Sequence, residues 1–160
     1  MVAILHNVRS AHNVASIFRT ADGAGVLRLY LCGITPGPLD AFGRNRKDFT
    51  KVALGAEKTV PFEKVARTAD CIRHLKARGY FICALELARG AVPYYEATFL
   101  AANREKIAIV VGHETEGIPK SILARCDAAI MIPMRGEKES LNVSVAFGVI
   151  AFEIARHRLP

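Results

Sequence analysis

The sequence lacks the cysteine patterns that indicate metal binding or redox chemistry. Its four cysteines are irregularly spaced and include no Cys-x-x-Cys pair: Cys32, Cys71, Cys83 and Cys126. This spacing disfavours structural zinc and thioredoxin-type chemistry, so we expect buried, reduced thiols. His113-Glu114 begins like a zinc-protease motif, but Gly117 stands where the second histidine would be required.

Long apolar runs are also absent. No stretch reaches the roughly 18 consecutive apolar residues of a membrane-spanning helix. The apolar start of the chain, residues 1–6, is too short for a signal peptide and carries no basic region before it. These absences predict a cytoplasmic protein that does not enter a membrane.

Phosphate-binding and serine-hydrolase signatures are missing as well. Neither Gly-x-x-x-x-Gly-Lys-Ser/Thr nor Gly-x-Gly-x-x-Gly occurs, and the glycines of residues 22–25 follow a predicted helix instead of a strand. Ser140 and Ser144 lie in no Gly-x-Ser-x-Gly elbow. Nucleoside triphosphate, dinucleotide and serine-hydrolase chemistry are therefore disfavoured.

What is present is a basic chain of globular composition. It has 160 residues, 51% hydrophobic and 23% charged, which predicts one folded domain over residues 1–160. The net charge of +7 favours a polyanionic partner, although many basic proteins bind no nucleic acid. Part of this charge lies in a Gly-rich loop, where ordinary solvation explains it equally well: Arg44, Arg46, Lys47 and Lys51.

Apolar runs of strand length alternate with helical patterns. The predicted strands are Val2–Leu5, Leu27–Cys32, Tyr80–Leu85, Ile107–Val111 and Ala128–Ile132. The last two are apolar at every position, which indicates burial on both faces. The predicted helices are Asn13–Ala24, Glu63–Ala77 and Asn142–Arg158. This alternation predicts an α/β fold with a mostly parallel sheet and helices on both faces. One long loop, Gly33–Asp48, is expected to be functional or mobile.

The last predicted helix is apolar around its whole circumference. Val143, Ala146, Phe147, Ile150 and Ile154 form one face, and Val145, Val149 and Phe152 form the opposite one. A helix of this kind must be buried on all sides. A terminal helix achieves this by packing on its own sheet and on a second subunit, so the periodicity predicts a homodimer.

Ligands of parallel α/β sheets bind beyond the carboxyl ends of the strands. Three such ends carry polar or glycine-rich turns, at residues 86–90, 112–119 and 133–142. The glycines allow the backbone to approach a ligand closely. These features predict a small-molecule site without identifying the molecule.

Three segments together resemble the TrmH-like (SpoU) ribose methyltransferases of the SPOUT superfamily. They are Asn13–Asp22, Val111–Pro119, and Ile132–Met134 followed after a spacer by Ser140–Ala146. Their order and spacing make the resemblance specific, and it covers nearly the whole chain. It implies a C-terminal trefoil knot, S-adenosylmethionine as cofactor, no metal, and methylation of a ribose 2′-hydroxyl in tRNA or rRNA. This chain shows no separate RNA-recognition domain, so its core or a partner would select the RNA.

The resemblance also implies residue roles. The candidate catalytic residues are Arg19, Asn13, Glu114, Ser140 and Asn142. The cofactor would be held mainly by the backbone of Leu85, Gly112, Ile132, Met134, Ser140 and Leu141. Candidate RNA-binding residues are Arg9, Arg19 and Arg46.

Each of these residues also admits a structural interpretation. Arg19 could be a solvated surface arginine, and Asn13 and Asn142 could cap helices. Glu114 could interact with a helix N-terminus near Pro119, and Gly112 could only form a turn. A guanidinium is effectively always protonated, so Arg19 as general base is less natural than Arg19 as a stabiliser of charge. Other possible functions are RNA base methylation, RNA binding without catalysis, and small-molecule enzymology.

Overall fold

A single parallel sheet forms the centre of the protein. The computed structural model describes residues 1–103 and 105–157. In that part, the strands are β1 Val2–His6, β2 Leu29–Cys32, β3 Phe62–Val65, β4 Phe81–Leu85, β5 Val92–Pro93, β6 Ile107–Val111 and β7 Ala128–Met131. Their order across the sheet is β3-β2-β1-β6-β4-β7-β5. Every neighbouring pair is parallel, which confirms the predicted parallel sheet.

Helices cover both faces of this sheet. In the described residues they are α1 Ala11–Gly23, α2 Lys47–Ala53, α3 Ala56–Thr59, α4 Thr68–Ala77, α5 Phe99–Ala102, α6 Lys120–Leu123 and α7 Val143–Arg156. Along β6, Ile107 and Ile109 join the core beneath α1, α2 and α7, whereas Ala108 and Val110 join the core beneath α4 and α6. The continuous apolar runs thus reflect burial on two sides, as predicted. None of the helices in the described residues is long and apolar enough to cross a bilayer.

The prediction of a helix over Glu63–Ala77 is wrong in its first part. Residues Phe62–Val65 form strand β3, and α4 begins only at Thr68. Strand β3 pairs with β2 alone and leaves Glu63 and Lys64 exposed, so it lacks the apolar run of the central strands. The predicted loop Gly33–Asp48 is also too long, because α2 begins at Lys47.

The C-terminal helix follows its predicted pattern closely. Helix α7 ends at Arg156, and Arg158 of the prediction lies outside the described residues. Phe147, Ile150 and Ile154 are buried against the sheet and α1. On the outer face, Val145 and Phe152 remain 52% and 54% exposed in the single chain.

The cysteines are free thiols in the interior or at its margin. Cys32, Cys71 and Cys83 are buried and Cys126 is half-buried. Burial raises the pKa of the Cys83 thiol to about 12 and that of Cys126 to about 11. The expected burial is therefore confirmed for Cys32, Cys71 and Cys83 and holds in part for Cys126.

Candidate functional site

A cavity of about 360 Å³ lies at the carboxyl ends of β4, β6 and β7. The loops that follow these three strands and the first turns of α7 form its walls. The lining residues are Leu85–Leu87, Val111–Gly117, Met131–Ile132, Glu139–Leu141, Val143 and Ala146. The position is the one expected for a ligand site in a parallel α/β sheet.

Most of the predicted cofactor-binding residues line this cavity. Those that do are Leu85, Gly112, Ile132, Ser140 and Leu141. Met134 is not among the lining residues, because the chain leaves the cavity wall after Ile132 and rejoins it at Glu139. The cavity thus lies at the strand ends where a small-molecule site was predicted, and the backbone role of Met134 stays a prediction.

Two glycines shape the cavity wall through the protein's own packing. The N–H of Gly117 donates to the carbonyl of His113 at 3.0 Å, closing a tight turn with φ +65° at Gly117. A Cβ on Gly112 would lie 2.5 Å from the carbonyl carbon of Gly117. Gly112 is thus required by this turn, which supports its interpretation as a turn-packing residue.

Glu86 joins two of the loops that surround the cavity. Its Oε2 accepts the N–H of Ile118 at 2.7 Å, and its Oε1 accepts the N–H of Leu87 at 3.0 Å. The carboxylate therefore links the end of β4 to the loop after β6. Glu86 is not among the residues predicted from the sequence, and its place directly after a buried strand is the one signal it offers.

Glu114 is held by three hydrogen bonds at the start of α1. Its carboxylate accepts the N–H groups of Arg9 and Ser10 at 3.0 and 2.9 Å, and Nδ2 of Asn13 at 2.9 Å. Burial alone would raise the pKa of this carboxyl, but the hydrogen bonds outweigh it and lower the pKa to about 2. Glu114 is therefore ionised at neutral pH. It does lie at a helix N-terminus, but at that of α1 and not the one near Pro119.

Asn13 connects Glu114 to the third motif. Its Oδ1 accepts Nδ2 of Asn142 at 3.2 Å, while Oδ1 of Asn142 accepts the N–H of Ser144 at 2.9 Å. Asn142 therefore caps α7, as its structural interpretation predicted. Ser10, not Asn13, is the N-cap of α1, so the capping role proposed for Asn13 is wrong. The fold thus joins Asn13, Glu114 and Asn142 in one network.

The predicted arginines lie in three different places. Arg9 is exposed beside Glu114, which its backbone N–H contacts. Arg19 is exposed on α1, six residues and therefore roughly 9 Å along the axis from Asn13, and it does not line the cavity. Arg46 precedes α2 and pairs with Asp48 at 2.9 Å. Of the three, only Arg9 is held directly against the Asn13–Glu114–Asn142 network.

The charge of the cavity lining is acidic. Its ionisable side chains are Glu86, His113, Glu114, Glu116 and Glu139, and neither lysine nor arginine is found among the described lining residues. Such a lining favours a cationic ligand over a phosphate-bearing one. Within residues 1–103 and 105–157, no three His, Cys, Asp or Glu side chains are grouped to hold a metal ion.

Comparisons with known proteins agree with this arrangement. Residues 1–152 match the SpoU rRNA Methylase family. The chain is 34% identical over 158 residues to a tRNA (guanosine(18)-2'-O)-methyltransferase of Aquifex aeolicus, covering 99% of this chain and 70% of that protein. It is 35% identical over 159 residues to the 23S rRNA (guanosine-2'-O-)-methyltransferase RlmB of Vibrio vulnificus, covering 99% of this chain and 60% of that protein.

A solved structure shares the fold closely. The AdoMet-bound rRNA methyltransferase from Sinorhizobium meliloti superimposes with a TM-score of 0.82 at 30% identity, covering 99% of this chain and 56% of that one. The chain therefore spans little more than half of that protein's length. The family match, by contrast, covers nearly all of this chain. The resemblance seen in the sequence is confirmed: this chain belongs to the SpoU rRNA methylase family.

Proposed function

We propose that this protein transfers a methyl group from S-adenosylmethionine to the 2′-hydroxyl of a ribose in structured RNA. The observation that carries the proposal is the Asn13–Glu114–Asn142 network, which unites all three family segments beside one cavity. The Aquifex and Vibrio relatives are named for guanosine 2'-O-methylation of tRNA and of 23S rRNA. Either class of RNA is therefore a candidate substrate.

The cavity lining suits the cationic and the apolar parts of this cofactor. S-adenosylmethionine carries a sulfonium and an ammonium group, which the acidic lining complements. Leu85, Ile132 and Leu141 offer apolar surface for its adenine ring. We propose that no metal takes part, because a positively charged sulfur is already a strong leaving group.

When bound, the cofactor supplies a methyl group bonded to positively charged sulfur. The ribose oxygen forms the new bond to this carbon as the carbon–sulfur bond breaks, and the hydroxyl proton passes to solvent or to an RNA phosphate. We assign the positioning of the ribose to Ser140 at the cavity mouth and to the network of Asn13, Glu114 and Asn142. The permanently charged Arg19 would bind an RNA phosphate and stabilise the developing alkoxide, together with Arg9.

We further propose that the protein is a homodimer built on the outer face of α7. Val145 and Phe152 are about half exposed in the single chain, and Val149, which is half-buried, lies between them. A second copy of α7 would remove this apolar surface from water. Sedimentation should show a dimer, and Val145→Asp should give monomers. A wild-type protein that sediments as a monomer at micromolar concentration would contradict this proposal.

We also propose that the C-terminal part forms a trefoil knot within this single methyltransferase domain. Strand β7 lies between β4 and β5, which follow each other in the sequence. Residues 86–91 must therefore cross the end of β7, since Leu85 and Val92 both pair with Ile130. The chain beyond β7 has to pass this crossing, which is where threading would occur. We place the enzyme in the cytoplasm, where its RNA and cofactor would meet.

Transfer of labelled methyl to RNA tests the main proposal. The protein is incubated with labelled S-adenosylmethionine and either tRNA or rRNA, and the product is hydrolysed in alkali. Alkali cleaves RNA through attack of a free 2′-hydroxyl on the adjacent 3′-phosphodiester, and a 2′-O-methyl group prevents this attack. Label should therefore appear in alkali-resistant dinucleotides. Label in mononucleotides would instead show base methylation, and RNA binding without any transfer would show a non-catalytic module.

The role of Arg19 has its own test. Arg19→Ala should keep the fold and cofactor affinity, because the side chain is exposed and outside the cavity lining. Single-turnover transfer should fall by orders of magnitude, and Arg19→Lys should restore little of it. Arg73→Ala, at another exposed arginine, is the matched control and should keep the wild-type rate. A near wild-type rate for Arg19→Ala would show that the arginine is only a solvated surface residue.

A further inference from the structure

An exposed aromatic side chain stands on a short turn that takes no part in the site described above. Leu39 and Asn45 form an antiparallel bridge that closes the turn of residues 39–45. At its tip, Phe42 remains 82% exposed, the highest fraction among the exposed large apolar side chains of the described residues. We call this segment the Phe42 turn. A ring so fully exposed offers its whole face to a ligand.

The Phe42 turn is braced by its own polar groups. One carboxylate oxygen of Asp40 accepts the N–H groups of Phe42 and Arg44 at 2.8 and 2.9 Å. The N–H of Asp40 in turn donates to the carbonyl of Arg44 at 2.9 Å. The ring thus stands on an ordered backbone. A ligand that contacts it would therefore cause little loss of conformational entropy in the turn.

A cation lies over the ring. The guanidinium carbon of Arg44 is 5.0 Å from the centroid of Phe42, and its Nε donates to Asp40 at 2.8 Å. The Arg44 side chain is still 73% exposed, so it can also meet a phosphate. Stacking surface and positive charge are therefore adjacent.

The surroundings add further recognition groups. Lys47 and Lys51 are exposed one helical turn apart on α2, directly after the turn. A cleft at the base of the turn is lined in part by Asn45 and Thr50. An amide and a hydroxyl can both donate and accept hydrogen bonds at the edge of a base.

We propose that the Phe42 turn binds an unpaired nucleobase of the RNA, stacked on Phe42 with Arg44 and Lys47 at the adjoining phosphates. A base inside a duplex has both faces covered, so the turn selects single-stranded segments. Leu39 and Asn45 of the turn share the cleft with Phe62 of β3, and β3 lies three strand spacings, roughly 14 Å, from β6. The held base is therefore not the nucleotide whose ribose is methylated. This inference rests on the proposed function for its RNA.

The absence of tryptophan from the chain permits a direct test. Phe42→Trp introduces a single indole, whose emission a stacked base quenches. The probes are unfractionated bacterial tRNA, which has unpaired loops, and a fully paired 20-base-pair RNA duplex at equal phosphate concentration. We expect quenching by tRNA and little by the duplex. The control Leu27→Trp, at an exposed residue before β2, should be quenched by neither. Equal quenching by the duplex, or none by bound tRNA, would overturn the proposal.

Binding measurements complete the test. Phe42→Ala and Phe42→Leu should both weaken tRNA binding roughly 5- to 150-fold, whereas Phe42→Tyr should bind like wild type. Affinity for S-adenosylmethionine should not change in any of them. Wild-type tRNA affinity for Phe42→Ala would overturn the proposal even if methyl transfer occurs, whereas absent methyl transfer by the wild type would contradict the proposed function alone. Loss of the dimer in Phe42→Ala would instead assign the ring to a subunit interface.

Discussion

Two groups of strand ends differ along the carboxyl side of the sheet. Hydrogen bonds join the loops closely at β1 and β2, which we call the sealed end, whereas the loops at β4 and β6 border the cavity, which we call the hollow end. At the carboxyl ends of β1 and β2, the Thr35 hydroxyl accepts the N–H of Val8 at 3.1 Å and lies 2.9 and 2.8 Å from the carbonyls of Leu5 and Cys32. Nearby, Oδ1 of Asn7 accepts the N–H of Ile34 at 3.1 Å.

At the ends of β4 and β6, one long side chain, Glu86, makes the corresponding link between the two loops. A short hydroxyl draws the loops together and fills the edge, whereas a longer carboxylate ties them across a space. In this protein, the short side chain therefore lies where two loops meet closely, and the long one lies beside the cavity.

The largest expected effect comes from closing the hollow end. Gly112→Ala would place a Cβ 2.5 to 2.7 Å from backbone of Gly117 and from Ile118, forcing the wall of the cavity to move. We expect a loss of about 2–3 kcal/mol in the free energy of unfolding, and loss of S-adenosylmethionine binding. Denaturant titration and calorimetry measure the two. Gly136→Ala, where a Cβ would meet nothing within 4 Å, should change neither.

Breaking the sealed end should cost stability without touching the cavity. Thr35→Val keeps the shape of the buried side chain but leaves the N–H of Val8 without its acceptor. We expect the free energy of unfolding to fall by about 2 kcal/mol, and Thr35→Ser to recover most of it. Cofactor affinity, measured in parallel, should stay within about twofold of wild type. A large loss of affinity would mean that the two ends are not independent.

Weakening the Glu86 link at the hollow end should lower cofactor affinity and leave the free energy of unfolding nearly unchanged. Glu86→Gln retains one acceptor oxygen but loses the other and the negative charge that faces the cavity. We expect about tenfold weaker binding of S-adenosylmethionine in calorimetry, with less than about 1 kcal/mol change in unfolding. Glu137→Gln, at an exposed acid outside the lining, is the control. Equal affinities for the two variants would refute the role assigned to Glu86.

The smallest effect concerns the junction between the two ends, where Glu114 holds the start of α1. Its pKa of about 2 lies below the ordinary value of 4.5, so its bonds stabilise the fold above pH 4.5 and are lost as pH falls towards 2. Glu114→Gln should therefore be less stable than wild type by about 1 kcal/mol at pH 6, a modest value because the group is only partly buried. The gap should close near pH 2 in denaturant titrations. A difference in unfolding free energy between the two proteins that does not change with pH would contradict the lowered pKa assigned to Glu114.

The central sheet could be read from the sequence because its strands are buried on both faces. Ile107–Val111 is apolar at every position and is found as β6 with the same bounds. Edge strands gave no such signal: β3 exposes Glu63 and Lys64, and β5 has only two residues, held by pairing with β7. Their pairing depends on partners distant in sequence, which local patterns do not report.

The strand-end turns indicated where a ligand would bind, but the individual residues of the candidate site could be predicted only through the family resemblance. Asn13 and Glu114 meet because β1 and β6 are neighbours, although about a hundred residues separate them along the chain. No periodicity reveals that strand order. Glu86 was missed because a lone glutamate after a strand resembles any turn residue.

The position of β7 has a consequence for how the protein is made. This strand is synthesised after β4, β5 and β6, yet it occupies an interior place between β4 and β5. Until residue 131 has left the ribosome, β4 exposes an unpaired edge to other nascent chains. Completion of the sheet must therefore wait for β7, and we expect it to be slow because it joins strands far apart in sequence. A chain stalled before β7 would keep this edge of β4 unpaired, and we expect chaperones to bind it.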